Sequence, residues 1–185
     1  MEILRPPYFL IATPVLVDPN FSQTVVLMAH HDQGGAMGWV LNRVHERPAR
    51  ALLTSTHRER IHADTPLHLG GPVPTQGLMA VFRAPLEGVG AVEMAPGLNV
   101  SSSPDVLPLL FAQPPDALAL GRLMYGYSGW SPGQLEREME EGGWLVLPYE
   151  VDLAFGPQVE DLWARAFARL GINPAMLTMP TGRRH

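Results

Sequence analysis

The sequence contains neither cysteine nor lysine. Without cysteine, the chain can form no disulfide, no thiolate metal site and no cysteine nucleophile. Without lysine, it can form no Schiff base with a carbonyl substrate and no lysine-containing phosphate loop. All 13 basic residues are therefore arginines. These two absences exclude several classes of enzyme before any motif is considered.

Long apolar runs and an excess of positive charge are also lacking. No run of about 18 apolar residues is present, so the sequence predicts no membrane span and no membrane partner. The N-terminus has no basic segment before its apolar patch, and prolines interrupt that patch, so it is interpreted as mature sequence and not as a signal peptide. We therefore expect a cytoplasmic protein. The net charge is −5 and the arginines form no basic stripe, so no direct nucleic-acid partner is expected.

What is present is the composition of a folded domain. The chain has 185 residues, of which 46% are hydrophobic and 17% charged, which suits one domain with a core. Residues 8–16 form a predicted first strand, and residues 24–31 and 36–43 form a predicted hairpin around the turn Asp-Gln-Gly-Gly. Both faces of these strands are apolar, so we expect them to be central and covered on both sides.

The rest of the chain alternates short strands with a few helices. Further strands are predicted within 67–73, 77–84, 90–101, 116–127 and 144–149, and helices within 47–66, 103–113, 132–141 and 157–171. Strands in hairpins with few helices predict an α+β domain and not a regular βαβ array. We expect one domain over 1–180 and a short tail over 181–185.

The stretch "GYSGWSPGQLEREM" (126–139) is explained best as a helix entrance. Ser131 is the predicted N-cap, Pro132 the first helical residue, and Gln134 the partner in a capping box. Trp130 and Leu135 have the spacing of a hydrophobic staple. This interpretation accounts for almost every residue of the stretch without a ligand.

Two functional interpretations of the same stretch stay open. Gly126, Ser128 and Gly129 are placed to bind an anion at the helix N-terminus. Ser128 also sits where a hydrolase nucleophile elbow, G-x-S-x-G, would place its serine. Trp130 occupies the second glycine position of that pattern, so the sharp turn of an elbow is not supported.

Taken together, these motifs resemble the YqgE/AlgH family over residues 8–179. The resemblance rests on five stretches in the same order as in the family, "FLIATPVLVDPNFSQTVVLMAHHDQGGAMGWVLNR", "GGPV", "SSSPDVL", "GYSGWSPGQLEREM" with "WLV", and "LWARAFARLGI". The chain departs from the family pattern at His30, Ser128, Gly143 and the final "TGRRH". Ser128 stands where the family frequently has alanine, which argues against a serine nucleophile.

The resemblance implies a compact α+β protein with a mixed, largely antiparallel sheet curled towards a pseudo-barrel and a few helices packed on it. It implies a bacterial, cytosolic protein, and part of the family carries a transcriptional-regulator label linked to alginate control. No catalytic site comes with it. The positions that match family signatures are His31, Gly38, Asn42, Gly71, Pro72, Asp105, Gly126, Gly129, Trp130, Gln134 and Glu136.

Among the polar residues, His31 is the strongest candidate for chemistry. It lies at a predicted strand end beside Asp32, with Asn42 across the hairpin. A site made by His31, Asn42 and Asp105 would use His31 as an acid or base, and the alternative is a turn histidine bound to backbone. His57, His62 and His68 lack the spacing of a zinc site, and nothing in the sequence indicates a metal or cofactor.

Three classes of function follow. The leading hypothesis is a non-enzymatic, soluble protein that acts through contacts with another protein or a small ligand, with a role in regulation. The second is a hydrolase- or transferase-like enzyme that uses His31, Asp105 or Ser128. The third is a regulator that binds DNA directly. The sequence does not indicate the oligomeric state.

Overall fold

A computed structural model describes residues 4–115, 120–156 and 159–177. The predicted tail over 181–185 and the predicted helix start at Pro157 lie outside these residues. Ten strands form two five-stranded sheets: β1 Tyr8–Ala12, β2 Val25–Asp32, β3 Gly35–Val40, β4 Leu67–Leu69, β5 Met79–Phe82, β6 Val92–Ala95, β7 Leu98–Ser101, β8 Gly121–Tyr125, β9 Ser128–Trp130 and β10 Trp144–Pro148. Among the described helices, none has the length and apolar character needed to cross a bilayer.

The first sheet has the order β10-β1-β2-β3-β9 and is antiparallel throughout. Alternate side chains of β1 and β2 enter two different cores. Phe9 and Leu27 contribute to one core, while Leu10 and Val26 contribute to the other. This arrangement follows from the two-residue period of a strand. The prediction that these strands are covered on both faces is confirmed.

The second sheet has the order β4-β8-β5-β7-β6. Only β4 and β8 are parallel in this sheet, and the other pairs are antiparallel. Its own core contains Phe82, Leu107 and Leu123. Within the predicted strand region 90–101, a turn joins β6 to β7, with Ala95 opposite Leu98.

The two sheets meet at the glycine pair that follows β4. Gly70 donates its N–H to the carbonyl of Tyr125 and accepts the N–H of Val40, so it bridges β8 and β3. At Gly71, φ is +154° and an added Cβ would overlap the backbone of Tyr127 and the Ser128 hydroxyl. Only glycine allows these two segments of the backbone to approach so closely. The crossing explains why a Gly-Gly-Pro sequence stands here.

Five α-helices lie around the sheets: α1 Ser55–Arg58, α2 Val106–Phe111, α3 Gln134–Glu140, α4 Val151–Phe155 and α5 Leu162–Leu170. Leu162, Ala166 and Phe167 of α5 join the core on one face of the first sheet. Leu135 of α3 joins the core on the opposite face. Gly171, with φ of +67°, ends α5 as predicted.

The predicted α+β class, with largely antiparallel strands and few helices, is confirmed. The strands divide between two sheets that do not close into a barrel. The single curled sheet that the family resemblance implied is therefore replaced by two sheets. Helix α2 begins at Val106, three residues after the start of the range predicted for it, 103–113. The hydroxyl of Ser103 accepts the N–H of Asp105 at 3.3 Å, which satisfies a donor ahead of the helix.

Candidate functional site

His31 lies near the end of β2, where a β-bulge changes the direction of the side chains. The register of β2 against β3 shifts between Met28 and His30. A regular strand would point residues 25, 27, 29 and 31 to the same face, but a bulge reverses this alternation. His31 therefore faces the core that contains Met28, opposite Ala36. Its side chain is 2% exposed.

Both ring nitrogens of His31 are hydrogen-bonded. Nδ1 lies 2.7 Å from the hydroxyl of Tyr8 on β1, and Nε2 lies 3.0 Å from Oε1 of Glu136 on α3. In a neutral imidazole with its proton on Nε2, the ring donates to Glu136 and accepts from Tyr8. All three groups are then satisfied. The histidine thus connects two strands of the sheet to the helix that covers them.

The electrostatics of this cluster favour a charged Glu136 and a protonated Tyr8. The hydrogen bond from His31, followed by a backbone hydrogen bond, lowers the pKa of Glu136 below its ordinary value. Burial, followed by the charge of Glu136, raises the pKa of Tyr8 well above its ordinary value. Tyr8 is 3% exposed, so neither it nor His31 presents a reactive atom to solvent. The arrangement suits positioning of α3 better than acid–base chemistry.

Asn42 lies at the other end of the same hairpin. Its amide oxygen accepts the N–H of Val25, and its amide N–H donates to the carbonyl of Gln23. Gln23 has a positive φ of 56°, so Asn42 fixes an unusual turn before β2. Val25 and His31 are six residues apart on one strand, which is about 20 Å at about 3.3 Å per residue.

Asp105 belongs to a third region, on the second sheet. Its carboxylate is 65% exposed and lies 3.3 Å from Nη2 of Arg60. His31, Asn42 and Asp105 therefore have separate partners, and the structure does not bring them together in one hydrogen-bonded cluster.

Ser128 is buried in β9 and is fully shielded from solvent. Its hydroxyl donates to the carbonyl of Gly70 at 3.0 Å. It stands in a strand that pairs with β3, and not at a strand-to-helix elbow. The Ser128 hydroxyl therefore stabilises the structure where the two sheets meet.

The turn into α3 differs from the predicted capping box. Gly133 has φ of +72°, which an α-helix cannot contain, so the helix begins at Gln134 and not at Pro132. The N–H of Gln134 bonds the carbonyl of Ser131 at 2.9 Å, which makes Ser131–Gln134 a type II turn with proline and glycine at its centre. Gln134 still reaches back to the N–H of Ser131 at 3.0 Å. The N-cap residue is Gly133, so Ser131 does not occupy the capping position.

Glu138 holds two tryptophans against this helix. Its Oε2 accepts the indole N–H of Trp130 at 3.0 Å and that of Trp144 at 2.8 Å. Its Oε1 accepts from the amide of Gln134. The two indoles meet edge to face with centroids 5.9 Å apart. Trp130 also shares a core with Leu135, which is the contact that the staple predicts.

No described group of three histidine or acidic side chains is arranged to hold a metal ion. His68, one of the three histidines weighed for zinc, is buried with Nδ1 3.1 Å from the carbonyl of Leu41. Burial, followed by the charge of Arg122, lowers the pKa of His68 to about 3. His68 is therefore a neutral core residue.

A cavity lies elsewhere among the described residues, on the second sheet, and is here called the main cleft. It has a volume of about 620 Å³, within the range of small-ligand sites. Its lining residues come from five segments: 45–57, 67–69, 76–80, 101–107 and 123–125. The lining is dominated by leucines, with His57, Ser102 and Tyr125 among its polar members and no carboxylate. His57 Nδ1 is buried without a hydrogen-bond partner in the described residues.

A second cavity of about 260 Å³ adjoins the main cleft, and three residues, Gly77, Leu78 and Ser102, line both. We call it the methionine cavity, because its walls include Met37, Met79 and Met124, together with Trp39, Thr75, Gly126 and Tyr127. Neither cavity was anticipated from the sequence. Their walls come from segments that are distant in the chain. The sequence feature that could have indicated a cavity was the short apolar run around Leu52, which stands within a polar stretch.

Comparisons with known proteins agree with this fold. Residues 9–175 match the sequence model of the AlgH-like family. The chain is 41% identical over 181 residues to a UPF0301 protein of Anaeromyxobacter dehalogenans, covering 91% of this chain and 89% of that protein. It is 36% identical to a UPF0301 protein of Pseudomonas putida, covering 98% of this chain and 99% of that one.

Two solved structures are similar. The solution structure of AlgH from Pseudomonas aeruginosa superposes with a TM-score of 0.70 at 31% identity, covering all of both chains. A crystal structure of a Corynebacterium diphtheriae protein superposes with a TM-score of 0.71 at 22% identity, covering 97% of this chain and 95% of that one, and it supports the fold alone. The sequence match, the full-length relatives and the superposed AlgH structure agree, and the chain belongs to the AlgH-like (UPF0301) family.

Proposed function

We propose that this chain is a cytoplasmic binding protein whose small ligand occupies the main cleft. The supporting observation is a cavity of about 620 Å³ whose lining is largely apolar and includes several polar groups but no carboxylate. Small-molecule sites generally have this combination, in which apolar walls supply affinity and sparse polar groups supply orientation. By contrast, His31, whose two ring nitrogens bond Tyr8 and Glu136, is buried beneath α3 and is not placed to meet a ligand.

The position of the cleft supports a ligand that affects structure. Its walls join the segment 49–57 to the second sheet and to the start of α2. That segment is followed by Arg60, which bonds the carbonyl of Pro104 and the carboxylate of Asp105. Most of its side chains between 52 and 59 are exposed or half-buried. A ligand bound in the cleft would add apolar contacts to the cleft-facing side of this segment and would thereby stabilise it.

A role in transcriptional regulation, if the chain has one, would then run through a ligand-dependent surface that contacts another protein. The net charge of −5 disfavours direct association with DNA. A mobility-shift assay at near-physiological salt should show no preference for one DNA sequence over scrambled DNA. Nanomolar, sequence-specific binding would contradict this part of the proposal.

Binding of a neutral apolar dye such as Nile red tests occupation of the cleft. Gly77 lines both cavities, its φ is not positive, and an added Cβ would meet nothing within 4 Å. Gly77→Trp should therefore fill space without strain and weaken dye binding at least tenfold. Val17→Trp adds the same indole at a position that is 84% exposed and should bind the dye as the unaltered chain does. Equal binding by all three proteins would refute the proposed site.

A further inference from the structure

We propose that the ligand is an unbranched amphiphile with an anionic head group, which places its head beside Arg58 and its tail in the methionine cavity. This inference rests on the proposed function of the main cleft. It adds the chemical class of the ligand and the direction in which it lies.

The first step concerns charge. The segment 45–60 holds four of the 13 arginines, namely Arg47, Arg50, Arg58 and Arg60, and only two glutamates. This is a local excess of positive charge on a chain whose net charge is −5. The same segment contributes the lining residues from His45 to His57, and none of the cleft's lining residues is acidic. An anionic group is the charged group that complements this wall.

The second step concerns which arginines are available. Arg60 is paired with Asp105, and Arg50 lies 3.8 Å from Glu59. Arg58 donates only to the carbonyl of Leu53, and Arg47 donates to that of Ala51. Within the described residues, neither Arg47 nor Arg58 has a carboxylate partner.

Arg58 is the better candidate of these two, because the carbonyl it bonds belongs to a residue that lines the cleft. Its guanidinium lies 3.3 Å from that oxygen and retains N–H donors for an anion. We therefore assign Arg58 as the residue that contacts the head group.

The third step concerns shape. The main cleft and the methionine cavity share Gly77, Leu78 and Ser102, so they are adjacent across one layer of residues. An unbranched chain can extend past such a constriction, whereas a bulky ring system fills only the larger space. Methionine side chains are flexible and pack against chains of differing length, and three of them line the far cavity. Leu78, which is half-buried at the junction, would then limit the width of the passage that the tail takes.

Calorimetric titration below the micelle concentration tests both parts of this proposal. Decanoate should bind the chain at least tenfold more tightly than hexanoate, because more methylenes are buried. It should also bind at least threefold more tightly than decanol, and this advantage should shrink as salt is added. Equal affinity for decanoate and hexanoate would overturn the tail assignment. Equal affinity for decanoate and decanol would overturn the head assignment.

Two variants locate the ends of the ligand. Arg58→Gln should remove the preference for decanoate over decanol and leave decanol binding unchanged. The control Arg137→Gln replaces another exposed arginine without a carboxylate partner in the described residues, on α3 and away from the cleft. It should preserve that preference. Leu78→Ala should widen the junction and improve binding of dodecanoate relative to decanoate, and an unchanged ratio would contradict passage of the tail beside Leu78.

The outcomes separate this inference from the proposed function. If Nile red binds and Gly77→Trp blocks it while decanoate neither binds nor displaces the dye, the cleft is a ligand site but the ligand class is wrong. If Gly77→Trp leaves dye binding unchanged, the proposed site itself is wrong. Decanoate binding that Gly77→Trp does not affect would place the amphiphile elsewhere on the protein and would also overturn this inference.

Discussion

The ring of His31 lies 3.0 Å from the carboxylate of Glu136, although the two residues are 105 positions apart in the chain. One belongs to β2 and the other to α3, the helix that covers that face of the first sheet. The contact is therefore a polar bond within a largely apolar interface, which contains Leu135 and Met28. Because such bonds require a defined geometry, this pair fixes the position of the helix on the sheet.

Glu136→Gln should weaken this interface, and the effect should depend on pH. The pKa of Glu136 is lowered in the folded state, so its contribution to the free energy of unfolding is full above the unfolded value of about 4.3 and is lost as pH falls further. We expect a loss of about 1 kcal/mol at pH 7. The difference between the two proteins should shrink towards pH 3.5. Urea unfolding at several pH values measures this.

Glu140→Gln is the matched control for that experiment. Glu140 lies on the same helix but is exposed, so its replacement should leave the urea midpoint almost unchanged at every pH. If both variants behave alike, the His31–Glu136 contact does not contribute to stability.

The three residues of the turn before α3 should differ in their effect on stability. Trp130→Ala removes a buried indole and should cost about 3–5 kcal/mol. Ser128→Ala removes a buried hydroxyl that donates to Gly70, and should cost about 1 kcal/mol. Ser131→Ala should cost less than about 0.5 kcal/mol, because Ser131 does not occupy the capping position. The measurement is urea unfolding of the three variants.

This order reverses the one expected from sequence for the two serines. A capping role predicts that Ser131→Ala is the costly change and Ser128→Ala the mild one. If the measured order follows the capping role, the type II turn at 131–134 is not the arrangement in solution.

Glu138→Ala should destabilise the protein more than its half-exposed position suggests. It leaves the indole N–H groups of Trp130 and Trp144 without their acceptor. An unsatisfied buried donor costs about 1–3 kcal/mol, so we expect a loss of about 2–3 kcal/mol in urea unfolding. Glu138→Gln keeps one carbonyl acceptor and should lose less. Equal losses in the two variants would indicate that packing, and not the hydrogen bonds, gives Glu138 its effect.

His68 should make the protein sensitive to mild acid. Burial, followed by the charge of Arg122, lowers its pKa to about 3 in the folded state, whereas the unfolded value is about 6.5. The folded state thus excludes a proton that the unfolded state binds, and stability falls as pH drops below about 6.5. The limiting slope is about 1.4 kcal/mol per pH unit.

Comparison with His68→Gln isolates this contribution. The variant should be less stable at pH 7, because it loses the bond to Leu41, but its stability should change less between pH 7 and pH 5. His30→Gln, at a side chain that is 58% exposed, should retain the pH dependence of the unaltered chain. A profile for His68→Gln as steep as that of the unaltered chain would contradict this assignment.

Local patterns predicted the elements well. The hairpin of β2 and β3 follows from glycines in its turn and from apolar residues on both faces, and α5 follows from apolar spacing and a terminal glycine. The direction of His31 could not be predicted in this way, because the bulge at Ala29 reverses the alternation. The predicted start of α3 at Pro132 was wrong. Pro-Gly is also a common centre of a type II turn, and Gly133 adopts the left-handed conformation which that turn requires.

The cavities were beyond sequence analysis for a different reason. Apolar periodicity indicates which side chains avoid water, but a cavity is the space that packed elements leave unfilled. Leu52, Leu78 and Leu107 lie in three separate segments, and each alone has the pattern of an ordinary core residue. Only the packing of these segments against the second sheet brings them around one space.

The register of the first sheet has a consequence for synthesis on the ribosome. β1 pairs along its whole length with β10, so that Tyr8 lies opposite Pro148. The first three strands emerge early, but their outer partners and both covering helices, α3 and α5, are made only after residue 127. Until then, the nascent sheet has an exposed edge and two apolar faces, which are the features that promote misassociation of growing chains. We therefore expect this chain to complete its fold only after most of it has been translated.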